Sequence, residues 1–119
     1  MSDNFSEIQH YMHQQSREAG WWEDMTEENR VYFNATKLGL IMSEAAEAFE
    51  AYRRGKKDEH LPHRDALEVE LTDVVIRTLD LAEAMGYDIL SCMKEKDAYN
   101  KTRQDFKVAR TGAEGSKKF

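Results

Sequence analysis

Residues Thr26 to Gly55 read TEENRVYFNATKLGLIMSEAAEAFEAYRRG, and this stretch decides the fold. Its apolar positions recur three and four apart, at Leu38, Ile41, Ala45, Ala48 and Tyr52. In an α-helix such positions line one face, whereas a strand would alternate every second residue. Thr26 is a capping residue type, and Glu27 and Glu28 follow where a helix favours negative charge. Gly55 is placed to end the helix in a left-handed conformation. The spacing predicts one long helix from Thr26 to Arg54, with that stripe as its core face.

The same period recurs on either side. Asn4 to Arg17 carries a weaker stripe, Ile8, Tyr11, Met12 and Gln15, and Gly20 closes it. Trp21 and Trp22 follow in a connector. Residues Lys56 to Arg64 are polar, contain Pro62 and read as a loop. Asp65 can cap a third helix running to Met85, with Gly86 as its stop. The stripe here is Leu67, Leu71, Val74, Thr78, Leu81 and Met85, but Val69, Ile76 and Leu79 are apolar too. A helix apolar on more than one face is covered on more than one side. In so short a chain a second subunit is the economical cover. Asp88 caps a fourth helix that continues to about Phe106, and from Lys107 onward the chain reads as a frayed tail. The expected fold is all-α: one domain over residues 1–106, a tail over 107–119, and a four-helix-bundle-like protomer that assembles as a dimer or tetramer.

Length and charge exclude several functions. The chain has 119 residues, enough for one domain. Its 17 Lys and Arg against 23 Asp and Glu leave a net charge of −6. That argues against a nucleic-acid binder, which needs a basic face to displace counterions. A small phosphorylated ligand stays possible, because a bound divalent metal reverses the local field. No apolar run approaches the roughly 20 residues that cross a bilayer. The acidic start MSDNFSEIQH does not read as a targeting segment. A single cysteine, Cys92, suits a reducing compartment, so a cytoplasmic location is expected.

Chemistry is sought where acids adjoin apolar faces. Acidic pairs three apart are common in this chain, and spacing alone says little. Glu44 and Glu47, however, lie on a line Lys37, Leu40, Glu44, Glu47, Ala51 beside the core stripe. Glu70 and Asp73 lie between two apolar arcs of the third helix. Carboxylates withdrawn from water are costly and repel one another. A divalent cation resolves both problems, and hard oxygen donors favour Mg²⁺, Mn²⁺ or Ca²⁺ over zinc. The plain alternative is that these acids are half-exposed and paired with lysines and arginines. On the fourth helix Ile89, Met93, Lys96, Asn100 and Arg103 share one line, and Lys96 with Arg103 suits phosphate oxygens. Ordinary surface pairing is again the alternative. Trp22 could stack on a nucleobase or close the end of a bundle. Glu7-Ile8-Gln9-His10 has the form used in di-iron bundles, but that architecture needs two such motifs.

Three ordered segments carry a resemblance. Leu40-Ile41-Met42-Ser43-Glu44-Ala45-Ala46-Glu47, then Glu70-Leu71-Thr72-Asp73-Val74-Val75-Ile76, then Lys96-Asp97-Ala98-Tyr99-Asn100-Lys101-Thr102-Arg103, resemble the all-α nucleotide pyrophosphohydrolases of the MazG-like group. The shared pattern is ExxE, a spacer, ExxD, and a downstream K-x₃-N-x₂-R. The resemblance implies Mg²⁺-dependent hydrolysis of a nucleoside triphosphate to the monophosphate and pyrophosphate, with Mn²⁺ a possible substitute, in a homodimer or homotetramer. It places Glu44, Glu47, Glu70 and Asp73 on the metal, with Glu44 or Glu47 orienting or deprotonating the attacking water. Lys96, Asn100 and Arg103 would hold phosphate or sugar, with Lys37 an added phosphate contact. The alternative function is a non-catalytic helical module that senses a nucleotide or binds a partner.

Overall fold

Asn4 begins the first helix, its side-chain oxygen accepting the Glu7 N–H at 3.2 Å. The computed structural model describes residues 1 and 3–103. Over these the chain is all-helical: α1 Phe5–Glu18, α2 Arg30–Arg54, α3 Ala66–Ala84 and α4 Ile89–Thr102, with no strand. α4 stops at Thr102, where Arg103 turns to an extended backbone, short of the expected end near Phe106; residues 104–106 and the expected tail lie outside the described residues.

The start of α2 differs from expectation. Thr26 donates its N–H to Asn29 Oδ1 (2.8 Å), and Asn29 returns its N–H to Thr26 Oγ1 (3.2 Å). This reciprocal box closes residues 26–29 on themselves, so the helix begins only at Arg30. Glu27 and Glu28 therefore precede the helix, whose first turn holds no acid. At its far end Gly55 adopts φ +64° and donates its N–H to Ala51 O, as the sequence predicts. Asp65 precedes α3 as expected but makes no side-chain cap, because Lys57 Nζ holds its carboxylate at 2.6 Å. Asp88 does cap α4, accepting from the Ser91 N–H.

The chain divides after Tyr87 into two compact units, the second starting at Asp88. Within the first, α3 packs against both α1 and α2. Its last turns show the consequence: Leu79, Asp80, Leu81 and Ala82 are four consecutive buried residues, which only a helix flanked on two sides can have.

The face of α2 that packs is not the one its apolar stripe marks. Ala48 is buried and Ile41 half-buried, but Leu38, Ala45 and Tyr52 are exposed, Tyr52 by 71%. The buried line is Lys37, Glu44 and Ala48. Across the first unit, the polar lines turn inward: Gln9, His13 and Ser16 on α1, Lys37 and Glu44 on α2, and Glu70, Asp73, Arg77 and Asp80 on α3. These positions are three, four or seven apart, so each line is one helix face. A polar seam thus runs along the contacts of α3, while large apolar side chains face outward.

Candidate metal centre

Gly20, with φ +89°, turns the chain out of α1 and brings both tryptophans back to the seam. Trp22 is buried, and its Nε1–H donates to Asp80 Oδ1 (2.9 Å) and Ser16 Oγ (3.1 Å). Ser16 Oγ–H donates to Asp80 Oδ2 at 2.7 Å, and His13 Nδ1 lies 2.7 Å from Asp80 Oδ1. One buried carboxylate is therefore met by three side chains, the condition under which such a group is tolerated. Trp22, a candidate for substrate binding, is held in this network with its ring 5.5 Å from Phe33.

Lys37 is likewise engaged inside. Its Nζ donates to Trp21 O (2.9 Å) and lies 4.7 Å from the Trp22 ring centroid. Burial pushes its pKa down, opposed by the charge of Asp80. Its reach to a phosphate, expected from the resemblance, competes with these contacts.

Above this network the acids converge. One oxygen from each of Glu44, Glu47 and Glu70 lies within 4.8 Å of the others. Two come from successive turns of α2 and one from the facing turn of α3, so helix packing builds the cluster. Glu44 is buried, Glu70 half-buried and Glu47 exposed. Asp73 contributes no oxygen to that group. It lies one turn along α3, where its own burial and then the charge of Glu44 raise its pKa.

The cluster holds more negative charge than its neighbours offset. Arg77 Nε donates to Glu44 Oε1 at 2.7 Å. Burial works against the Glu44 carboxylate, but the Arg77 contact and hydrogen bonds to Glu47 and Glu70 keep its pKa below the usual value. Glu47 is raised by its hydrogen bond to Glu44 and by that group's charge. Glu70 is raised to about 7, by burial first and then by the charge of Glu47. Its Oε2 is fully buried with no hydrogen-bond partner. A buried oxygen without a donor, inside a set of all-oxygen ligands, is what a hard divalent cation would satisfy. The residues present fit such an ion.

A cleft of about 300 Å³ opens beside the cluster, lined by Trp21, Glu44, Asp73, Ile76, Arg77 and Asp80 among others. Trp21 is half exposed, and the Arg77 guanidinium lies 5.0 Å from its ring centroid. The sequence reading passed over Arg77, Asp80, His13 and Ser16, and favoured a structural role for Trp21 at the end of a bundle or an interface. A signal existed for the α3 pair, since Arg77 and Asp80 continue the 3,4,3 line from Glu70 and Asp73. Nothing local marks His13 or Ser16, because their partner is 64 or more residues away.

The remaining candidates lie in the second unit. On α4, Lys96 Nζ and the Arg103 guanidinium stand 5.0 and 5.9 Å from the Tyr99 ring centroid, and Arg103 donates to Asn100 Oδ1 at 3.1 Å. Arg103 itself lies just past the end of α4 with an extended backbone, so the expected helical line of the three residues stops at Asn100.

Fold and site together define an all-α protein with a carboxylate cluster between two packed helices. Family models, curated proteins and solved structures offer no match to the chain. Among the described residues no helix is long and apolar enough to cross a membrane.

Proposed function

We propose that the protein is a divalent-metal-dependent nucleoside triphosphate pyrophosphohydrolase, converting (d)NTP to the monophosphate and pyrophosphate. The observation that carries this reading is the meeting of Glu44, Glu47 and Glu70 around a buried Glu70 oxygen that lacks a donor. Glu44, Glu47 and Glu70 would hold the ion, with Asp73 beside them. The all-oxygen donor set suits Mg²⁺, with Mn²⁺ as substitute. When bound, the ion would neutralise phosphate charge and lower the pKa of a nearby water. Glu47 is the most exposed of the three, and its raised pKa fits a group that takes a proton from water. Arg77 fixes Glu44 in its ionised form. Trp21 and Ile76 offer an aromatic and an aliphatic wall for a base in the cleft, the role that Trp22 is too buried to take.

The functional molecule is proposed to be a homo-oligomer in the cytoplasm. Met42, Phe49 and Tyr52 on α2 and Val75 on α3 are each more than half exposed, although all are large and apolar. Such a face asks for cover.

The test is release of pyrophosphate from a panel of natural (d)NTPs with and without Mg²⁺, products being resolved by chromatography. Glu47→Gln and Asp73→Asn should lose turnover by at least about a hundredfold while helicity is kept. Wild-type turnover in either variant would remove the assignment.

A further inference from the structure

The α2–α3 connection, expected only as a polar loop, is built and charged. It opens with Arg53-Arg54-Gly55-Lys56-Lys57, four cations in five residues. Helix-dipole complementarity accounts for Arg53 and Arg54, which lie in the last turn of α2 and both reach Glu50, at 3.2 and 3.0 Å. It does not account for Lys56, which lies past the helix stop.

Several contacts pin the loop in one shape. Lys57 and Asp65 form an antiparallel backbone bridge as well as their ion pair. Ala66 N–H donates to Lys56 O at 2.9 Å, and Asp58 N–H to Arg64 O at 3.0 Å. The Asp58 carboxylate accepts from the N–H groups of His60 and Leu61. An eleven-residue connection stapled in this way holds its backbone in one shape.

The loop borders the carboxylate cluster. Glu47 and Glu70 share the lining of a cavity of about 570 Å³ with Arg54, Lys56 and Lys57. Of the loop-side acids that also line it, Glu50 is met by the arginines and Asp58 by backbone N–H groups, while Glu59 adds a further carboxylate. Arg54 and Lys57 are paired with Glu50 and Asp65, and not with the cluster. Lys56 makes no side-chain hydrogen bond or ion pair among the described residues. Charges of both signs thus line an open cavity without closing it. An anion that binds a cation at Glu47 and Glu70 would present its own charge to Lys56.

We propose that Lys56, supported by Arg54, forms a subsite for the end of a polyphosphate chain, the part that departs as pyrophosphate. This rests on the pyrophosphohydrolase reading and assigns the two sides of the cluster. The nucleoside lies in the Trp21 cleft, and the terminal phosphates cross the carboxylates toward the loop. An exposed lysine on a pinned loop is a strongly hydrated point charge suited to phosphate oxygens.

The experiment is calorimetric titration of the full chain with inorganic pyrophosphate in the presence of Mg²⁺. Lys56→Ala should weaken binding about tenfold, Lys56→Glu should weaken it further, and Lys56→Arg should retain it. Circular dichroism checks that each variant keeps its helices. Absence of pyrophosphate binding to the wild type overturns the proposal, as does equal affinity in the alanine and glutamate variants. The two readings separate cleanly. Lys56-dependent pyrophosphate binding without turnover of any triphosphate sinks the enzyme reading alone. Normal turnover with Lys56-independent binding sinks the subsite alone.

Discussion

Glu70 carries the sharpest electrostatic conflict in the molecule. Its folded-state pKa near 7 exceeds the ordinary glutamate value of about 4.3, so the folded chain prefers the protonated acid. That preference contributes fully below about pH 4.3 and is lost as pH rises through 7. Glutamine mimics the protonated form. Glu70→Gln should therefore stabilise the fold at pH 8 without divalent ions by about 1–2 kcal/mol, read as a higher thermal midpoint, and change it little at pH 4.5. The same variant should lose the stabilisation that Mg²⁺ gives the wild type, since it removes a ligand. Thermal unfolding followed by circular dichroism reads both effects. An unchanged midpoint at pH 8 would mean that the carboxylate is better solvated than its surroundings imply.

At the scale of elements, α1 is fixed to α3 by polar contacts more than by its weak apolar stripe. Gln9, His10, His13 and Ser16 all reach Asp80 or Glu83. Asp80→Ala would leave the Ser16 hydroxyl and His13 without their acceptor and the Trp22 indole N–H with Ser16 Oγ alone, and should cost about 2–4 kcal/mol in denaturant unfolding. Glu83 lies below its usual pKa because of the His10 hydrogen bond, with Gln9 adding to it. A depressed carboxylate stabilises above its unfolded pKa and loses that contribution as pH falls. The midpoint gap between wild type and Glu83→Gln should thus be open at pH 5.5 and narrow as pH falls through the carboxylate range. A gap that does not change with pH would show that the contact does not depend on ionisation.

For the whole molecule, the difficulty is that too little apolar surface is covered. No side chain of the described residues is completely shielded, and the buried apolar residues are Trp22, Ala48, Leu79, Leu81 and Ala82. Meanwhile Met42 is 73% exposed and Phe49 67%. A single 13.9 kDa chain with this distribution has a thin core. Light scattering at micromolar concentration should give at least twice the chain mass. Phe49→Glu or Met42→Glu should lower that mass, because a charge there would be buried without a partner. A wild-type mass of 13.9 kDa would contradict the oligomer.

The sequence by itself determined the helices, because period, caps and glycine stops act over a few residues. Asn4, Asp88, Gly55 and Gly86 stand where the spacing puts them, while the Thr26 turn moved the start of α2 and the extended Arg103 moved the end of α4. It also marked Glu44, Glu47 and Glu70 as acids beside apolar faces. Which face of each helix turns inward was decided by tertiary packing. A stripe of apolar residues says that a face needs cover, not whether that cover is the same chain or another. The pairing of His13 and Ser16 with Asp80 and of Arg77 with Glu44, and the placing of the loop cations at the acid cavity, were likewise invisible. These contacts join residues 33 to 67 positions apart or depend on how a loop is pinned, and no local pattern encodes such a distance.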